Sequence, residues 1–170
     1  MKHLIAIFVL FLVAGSCSLA AAQEPYTSDQ GDYTIDLPSS AWKAVSDSDA
    51  AREHTEFIYG DRLEGYLKIR KEMVDAGTTA TDLAHRDLDS KLSFALEGFV
   101  AGKEEKFSGR LNGVTISYEF VKTGKPMMGR IYYLQADNRT IYALRFTGLR
   151  DKLARIRNQT DLIARSLKLK

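Results

Sequence analysis

The residues able to do chemistry in this 170-residue chain are few and scattered. Beyond His3 there are two histidines, His54 and His85, and neither has a second histidine at metal-ligand spacing. A hydrolase would need one of them to meet a carboxylate and a hydroxyl in a cleft. No G-x-S-x-G elbow marks a nucleophile for that purpose. Asp47 and Asp49 have the alternate spacing of calcium ligands, but the third acid, the turn glycine and the closing Glu are missing. Glu104-Glu105 reads as a charge pair on an exposed strand. Neither type of glycine-rich phosphate loop occurs. The expectation is therefore a protein with no catalytic residues, no metal site and no cofactor, whose remaining chemistry is recognition. Three tyrosines are the candidates for a partner surface. Tyr66 lies on the polar side of its strand, and the neighbours Tyr132 and Tyr133 must point to opposite faces, which leaves one of them available to a protein partner. The competing reading places these rings in sheet–helix interfaces.

Net charge narrows the partner. With 24 basic against 22 acidic residues the formal charge is +2, too even for a nucleic-acid binder. The compartment is read from the N-terminus. A short basic start precedes the apolar run Leu4 to Val13, which is too short to span a bilayer and fits a secretory signal. Small residues follow, and Ala20-Ala21-Ala22 before Gln23 matches a cleavage site between Ala22 and Gln23. The only cysteine, Cys17, falls inside this segment. Ala14-Gly15-Ser16-Cys17 loosely matches a lipidation signal, so the alternative to a cleaved soluble protein is a lipoprotein anchored through Cys17. Both place the domain outside the cytoplasm, and only lipidation brings it to a membrane.

The elements that must position any site follow from periodicity. Residues 1–22 read as the signal, 23–31 as a polar flexible lead-in, and 32–170 as one domain. Tyr33, Ile35 and Leu37 alternate with polar residues in a half-buried strand, ended by Pro38. A short strand at Trp42 to Val45 follows, with Trp42 as a core anchor. Glu53–Tyr59 and Tyr66–Val74 are two further strands. In the second, Leu67, Ile69 and Met73 share one face, and Tyr66, Lys68, Arg70 and Glu72 the other. Helical spacing of Ala84, Leu88, Leu92, Ala95 and Phe99 predicts a helix from about Asp82 to Glu97, started by Thr79 with Asp82 or by Thr81, and ended by Gly98. Lys103–Ser108 is a charged strand for a sheet edge. Residues 114–147 form a three-strand meander with turns at Gly124 and at Asp137-Asn138-Arg139. A second helix spans Leu149 to Leu167, and a short final strand closes the chain. The meander strands are apolar on both faces, which calls for cover on both sides. The fold class is α+β: an antiparallel sheet of six or more strands sandwiched between two helices.

This order of elements resembles the PsbP-like family, which shares an α/β/α sandwich with the Mog proteins and with small bacterial exported or lipoprotein domains. The resemblance rests on Tyr33-Thr34-Ile35-Asp36-Leu37-Pro38 followed by Trp42, and on the helix after the fourth strand. It also rests on Asn112-Gly113 before the strand ending Tyr118-Glu119-Phe120, and on the hairpin Asn138-Arg139-Thr140-Ile141-Tyr142 leading to a terminal helix closed by Ser166-Leu167-Lys168. It implies an accessory or partner-binding role and carries over no site residue. The expectation is an exported, non-enzymatic protein of the bacterial cell envelope, periplasmic or secreted, whose partner is an envelope protein. A carrier of small apolar ligands or lipids is the first alternative and a cryptic hydrolase the second.

Overall fold

The structure is a computed structural model, and it describes residues 24–28, 32–45 and 54–170. Two antiparallel sheets organise it. The larger has seven strands: β3 (Trp42–Ala44), β4 (His54–Tyr59), β5 (Gly65–Met73), β6 (Val100–Phe107), β7 (Asn112–Lys122), β8 (Lys125–Gln135) and β9 (Thr140–Leu149). Their spatial order is β3-β4-β5-β9-β8-β7-β6, so the meander β7-β8-β9 sits inside the sheet and the charged β6 forms one edge. The smaller sheet joins β1 (Glu24–Thr27), β2 (Tyr33–Leu37) and β10 (Lys168–Leu169) in the order β1-β2-β10. The helical segments are α1 (Ala80–Asp87), a π-helical turn Leu88–Leu92, α2 (Ser93–Ala95), α3 (Arg150–Arg155) and α4 (Arg157–Ser166).

Each face of the large sheet carries its own core. On one side Leu67, Ile69, Tyr132, Leu144 and Phe146 pack under the inner residues of β2 and under Leu153, Ile163 and Ala164 of α3 and α4. Trp42 is buried there as expected, and its indole N–H donates to Gln159 Oε1 at 3.0 Å. On the other side Leu83 and Ala84 of α1, with Leu92, cover Val114, Ile116, Ile131, Tyr133 and Ile141. Full burial of one such aliphatic side chain stabilises by about 2 kcal/mol. The capping box Thr79–Asp82 sets the start of α1: the Thr79 hydroxyl accepts from the Asp82 N–H at 3.1 Å, and Asp82 accepts from the Thr79 N–H at 2.9 Å.

Four expectations need correction. Residues 24–27 are a strand, not a flexible lead-in: β1 pairs with β2 as an edge, where Pro25 costs no ladder hydrogen bond. The helix expected at 82–97 changes winding. Ser93 N–H reaches back five residues to Leu88 O, and the hydroxyls of Ser90 and Ser93 bond the carbonyls of Arg86 and Asp89. The helix expected at 149–167 breaks at Ile156 (φ −98°, ψ 14°), whose carbonyl accepts the first amides of α4. Neither proline nor glycine marks that break. Met73, placed with Leu67 and Ile69 on an inward face, is 69% exposed, because it is the last residue of β5, opposite the first residue of β9, Thr140, at the end of the sheet.

Candidate functional site: the uncovered half of the sheet

Helix α1 packs on β7 and β8. Among the described residues no helix lies over the same face of β4 and β5 or over the Arg145–Thr147 end of β9, and the β5 residues there are polar. Tyr66, Lys68, Arg70 and Glu72 of β5 point there, as the alternation in the sequence requires. Register puts Lys68 between Glu56 of β4 and Arg145 of β9. A groove of about 610 Å³ runs between this floor and the wall made by α2 and the β7–β8 hairpin. Arg62, Tyr66, Lys68 and Arg145 line its floor, and Leu96 and Phe120 its wall.

Arg145 is held by a specific device. Its Nε donates to the Tyr118 hydroxyl at 2.7 Å, and its guanidinium lies 5.6 Å from the centre of that ring. Tyr118 reaches Arg145 by crossing over Gly129, its partner on β8. At the far end of the floor the Glu56 carboxylate gathers three neighbours. His54 Nε2 lies 2.9 Å from it, Arg62 3.4 Å, and the Tyr66 phenol also hydrogen-bonds it. Burial pushes the Glu56 carboxyl up, but the hydrogen bonds from Tyr66 and His54 and the Arg62 charge outweigh burial and hold it below its ordinary value. Burial, and then the Glu56 carboxylate, push Tyr66 up to about 12.

A second node anchors α1 on the same face of the sheet. Asp87, the last residue of α1, is buried beneath its own helix. Its carboxylate accepts from the Tyr133 hydroxyl at 3.2 Å, pairs with Lys91 Nζ at 2.7 Å and lies 3.8 Å from Arg70 of β5. It thereby ties α1 and the π-helical turn to two strands. We expect Asp87→Ala to cost about 2 kcal/mol, chiefly the price of an orphaned buried phenol, with Lys91 and Arg70 regaining water. Urea denaturation measures it. An unchanged midpoint would mean that this node holds nothing.

A smaller cavity of about 320 Å³ lies on the other side of the sheet, under the α3–α4 break. Lys103, Glu105, Arg130 and Arg157 line it together with Met128 and Leu153. A β-bulge in β6 brings Lys103 there, since Gly102 and Lys103 together oppose Ser117 alone. Arg130 is tied by Tyr132 Oη at 2.7 Å and Asp161 at 3.2 Å, and Tyr132 in turn hydrogen-bonds Asp161 and Thr160.

The sequence candidates distribute unevenly. Tyr66 is half-buried on the groove floor, its hydroxyl engaged by Glu56 and the Arg62 guanidinium lying 5.0 Å from its ring centre. Tyr132 and Tyr133 are not surface residues: they are 0% and 1% exposed. They do point to opposite faces, but both faces of β8 are covered at that point, one by α4 and one by α1. The two histidines stand apart. His54 pairs with Glu56, and His85 with Glu104 at 2.7 Å. Neither imidazole meets a hydroxyl among the described residues. Cys17, Ala22, Gln23, Asp47 and Asp49 lie outside the described residues. Sequence reasoning missed Arg145 and Arg62. Arg145 was visible only as a cation on the same alternating face as Ala143 and Thr147.

No family model matches the chain, and no curated protein does. Solved structures do. Cyanobacterial PsbP (CyanoP) from Synechocystis superposes with a TM-score of 0.59 at 15% identity, over 92% of this chain and 96% of that one. LpqN, involved in cell envelope biogenesis of Mycobacterium tuberculosis, gives 0.58 at 15% identity, over 88% and 91%. The Ran-binding protein Mog1p of Saccharomyces cerevisiae gives 0.63 at 10% identity, over 88% and 96%. The chain has the PsbP/Mog-like fold, an antiparallel sheet between helical layers. Identities this low speak to fold alone.

Proposed function

We propose that this protein is an exported, non-enzymatic accessory protein of the cell envelope that works by binding another protein through the groove on β5 and β9. The observation that carries the reading is the half-covered sheet. Among the described residues, a face that α1 seals over β7, β8 and the Ile141 end of β9 has no helix over β4, β5 and the Arg145 end of β9; its floor is polar and aromatic and its wall apolar, which is the composition of a recognition surface. The signal-like N-terminus supports export, and one protein of the same fold, LpqN, is involved in cell envelope biogenesis of its own organism. Among the described residues no helix is long and apolar enough to cross a membrane.

A photo-crosslinking side chain placed at Tyr66 tests the proposal in the native envelope, with Asn158 on the exposed side of α4 as the control position. We expect a defined adduct from Tyr66 that the Asn158 position does not give. Equal adducts from both positions, or none from either, would overturn it. A carrier of apolar ligands draws on the 320 Å³ cavity, so the sheet–helix interface is not completely filled. The four charged residues lining that cavity make it a poor container for an apolar molecule.

A further inference from the structure

Among the described residues three arginines are half-buried: Arg70, Arg130 and Arg145. Two of them are paired twice. Arg70 meets Glu72 at 2.8 Å and Asp87 at 3.8 Å, and Arg130 meets Asp161 at 3.2 Å and Glu105 at 3.8 Å. Arg145 meets no carboxylate of the described residues. Its protein partner is a phenol, on Nε, which fixes the plane of the guanidinium and leaves both terminal nitrogens to the groove. A guanidinium taken partly out of water without a counter-charge is unfavourable, and evolution's usual remedy is the carboxylate that Arg70 and Arg130 have. Here the structure instead spends a glycine, Gly129, and a buried ring, Tyr118, on holding the unpaired cation in place.

The surroundings agree in sign. Four cations line the groove, Arg62, Lys68, Lys122 and Arg145, against one carboxylate, Glu97. Arg62 leans on Glu56, and among the described residues Arg145 itself meets no carboxylate. The whole chain carries only +2, so this groove concentrates the protein's positive charge. Beside the cations stand apolar groups that water reaches: Leu63 is 39% exposed and Val121 36%. Resting on the partner-binding reading above, we infer that the groove recognises an acidic segment of a partner protein, with carboxylates set beside apolar side chains. A guanidinium whose fork is pre-oriented takes a carboxylate with two parallel N–H···O bonds. Lys68, directly across the ladder from Arg145, adds positive charge to the same floor. Among the described residues the groove is a cleft and not an enclosed cavity, which suits an extended chain segment better than an acyl tail that needs an enclosed sleeve.

The probe is a fluorescein-labelled peptide in which Glu alternates with Leu, followed by anisotropy against the full protein. We expect binding that weakens with added salt, that falls about tenfold or more in Arg145→Gln, the loss of one charge-assisted pair, and that falls in Lys68→Gln through the lost positive charge on the floor. Arg155→Gln, which removes the same charge from the exposed side of α3, leaves affinity unchanged. The counterpart peptide with Gln in place of Glu does not bind. Should Arg145→Gln fold poorly, the wild-type protein still decides: the Arg145 Nε–H resonance must shift as peptide is added. Binding that survives both groove variants, an equal loss in Arg155→Gln, or a silent Arg145 resonance overturns the inference. So does binding to phosphatidylglycerol vesicles without binding to the peptide. The two readings fail separately. A Tyr66 crosslink to one partner that persists in Arg145→Gln keeps the partner surface and removes the acidic-segment inference. Loss of both crosslink and peptide binding removes both.

Discussion

Above about pH 10 the protein is expected to unfold over a narrow interval, with tyrosine ionisation and loss of structure rising together. Tyr33, Tyr118, Tyr132 and Tyr133 are each no more than 3% exposed. Burial pushes the Tyr33 phenol up to about 12. It also raises Tyr118, although the Arg145 charge opposes the rise, and it raises Tyr132 and Tyr133, where the carboxylates of Asp161 and Asp87 push further in the same direction. An unfolded tyrosine ionises near pH 10. Between that pH and each native value the unfolded chain has released a proton that the folded chain keeps. The unfolded state then binds fewer protons, so stability falls as pH rises and is intact below pH 10. One such phenol removes about 1.4 kcal/mol per pH unit, and four acting together remove on the order of 5 kcal/mol per unit. A domain of this kind holds about 5–15 kcal/mol in all, so the fold is lost within roughly one to three units. Absorbance of tyrosinate and far-ultraviolet circular dichroism, read on the same samples, measure it. Tyrosines that titrate near pH 10 with dichroism unchanged would show that these rings are open to solvent.

Those tyrosines also mark where sequence reasoning reached and where it stopped. Period-two alternation is local, and it placed Tyr66, Lys68, Arg70 and Glu72 on one face of β5 and the meander at 114–147 without help from the rest of the chain. The capping box at Thr79 and Asp82 is equally local. Tyr132 and Tyr133 were correctly sent to opposite faces, but which face lies open depends on how far α1 extends across the sheet. That extent is set by the packing of Leu83, Ala84 and Leu92 on β7 and β8, not by anything within β8. The π-helical turn and the break at Ile156 escaped for a related reason. The apolar stripes continue through both at helical spacing, and no proline or glycine interrupts them. β1 was lost to its composition, because Pro25 and its polar neighbours read as a tail, whereas an edge strand needs hydrogen bonds from only one of its sides. The Arg145 device is the least legible. It needs the registers of three strand pairs at once: Tyr118 opposite Gly129, Gly129 opposite Thr147, and Arg145 opposite Lys68. A glycine within a strand pattern signals a close approach, and here the approaching group is Tyr118.

Gly129→Ala is accordingly expected to be the most damaging single substitution on the groove side of the sheet. A methyl group at residue 129 would lie 2.0 Å from Cζ of Tyr118 and 2.3 Å from its hydroxyl oxygen. The ring cannot swing clear. It is fully buried, and Phe99 and Phe120 flank it with centroids at 5.8 Å each. Relief must come from separating β7 and β8 in the middle of the sheet or from expelling the ring, and either costs about 3 kcal/mol or more, the upper range for forcing atoms into a packed core. Urea denaturation should show that loss. Tyr118→Ala alone should cost a similar about 3–5 kcal/mol by leaving a cavity. The informative result is the double variant. With the ring gone the new methyl has room, so Gly129→Ala and Tyr118→Ala together should cost less than their separate effects by more than about 1 kcal/mol. Additive losses would mean that the methyl clashes with something other than the ring. Tyr118→Phe separates packing from tethering: it keeps the ring over Gly129, gives up one hydrogen bond worth about 1 kcal/mol, and releases Arg145 from its fixed plane. If the geometry of that cation is what the groove is built to hold, acidic-peptide affinity must fall in Tyr118→Phe while the fold stays close to its native stability.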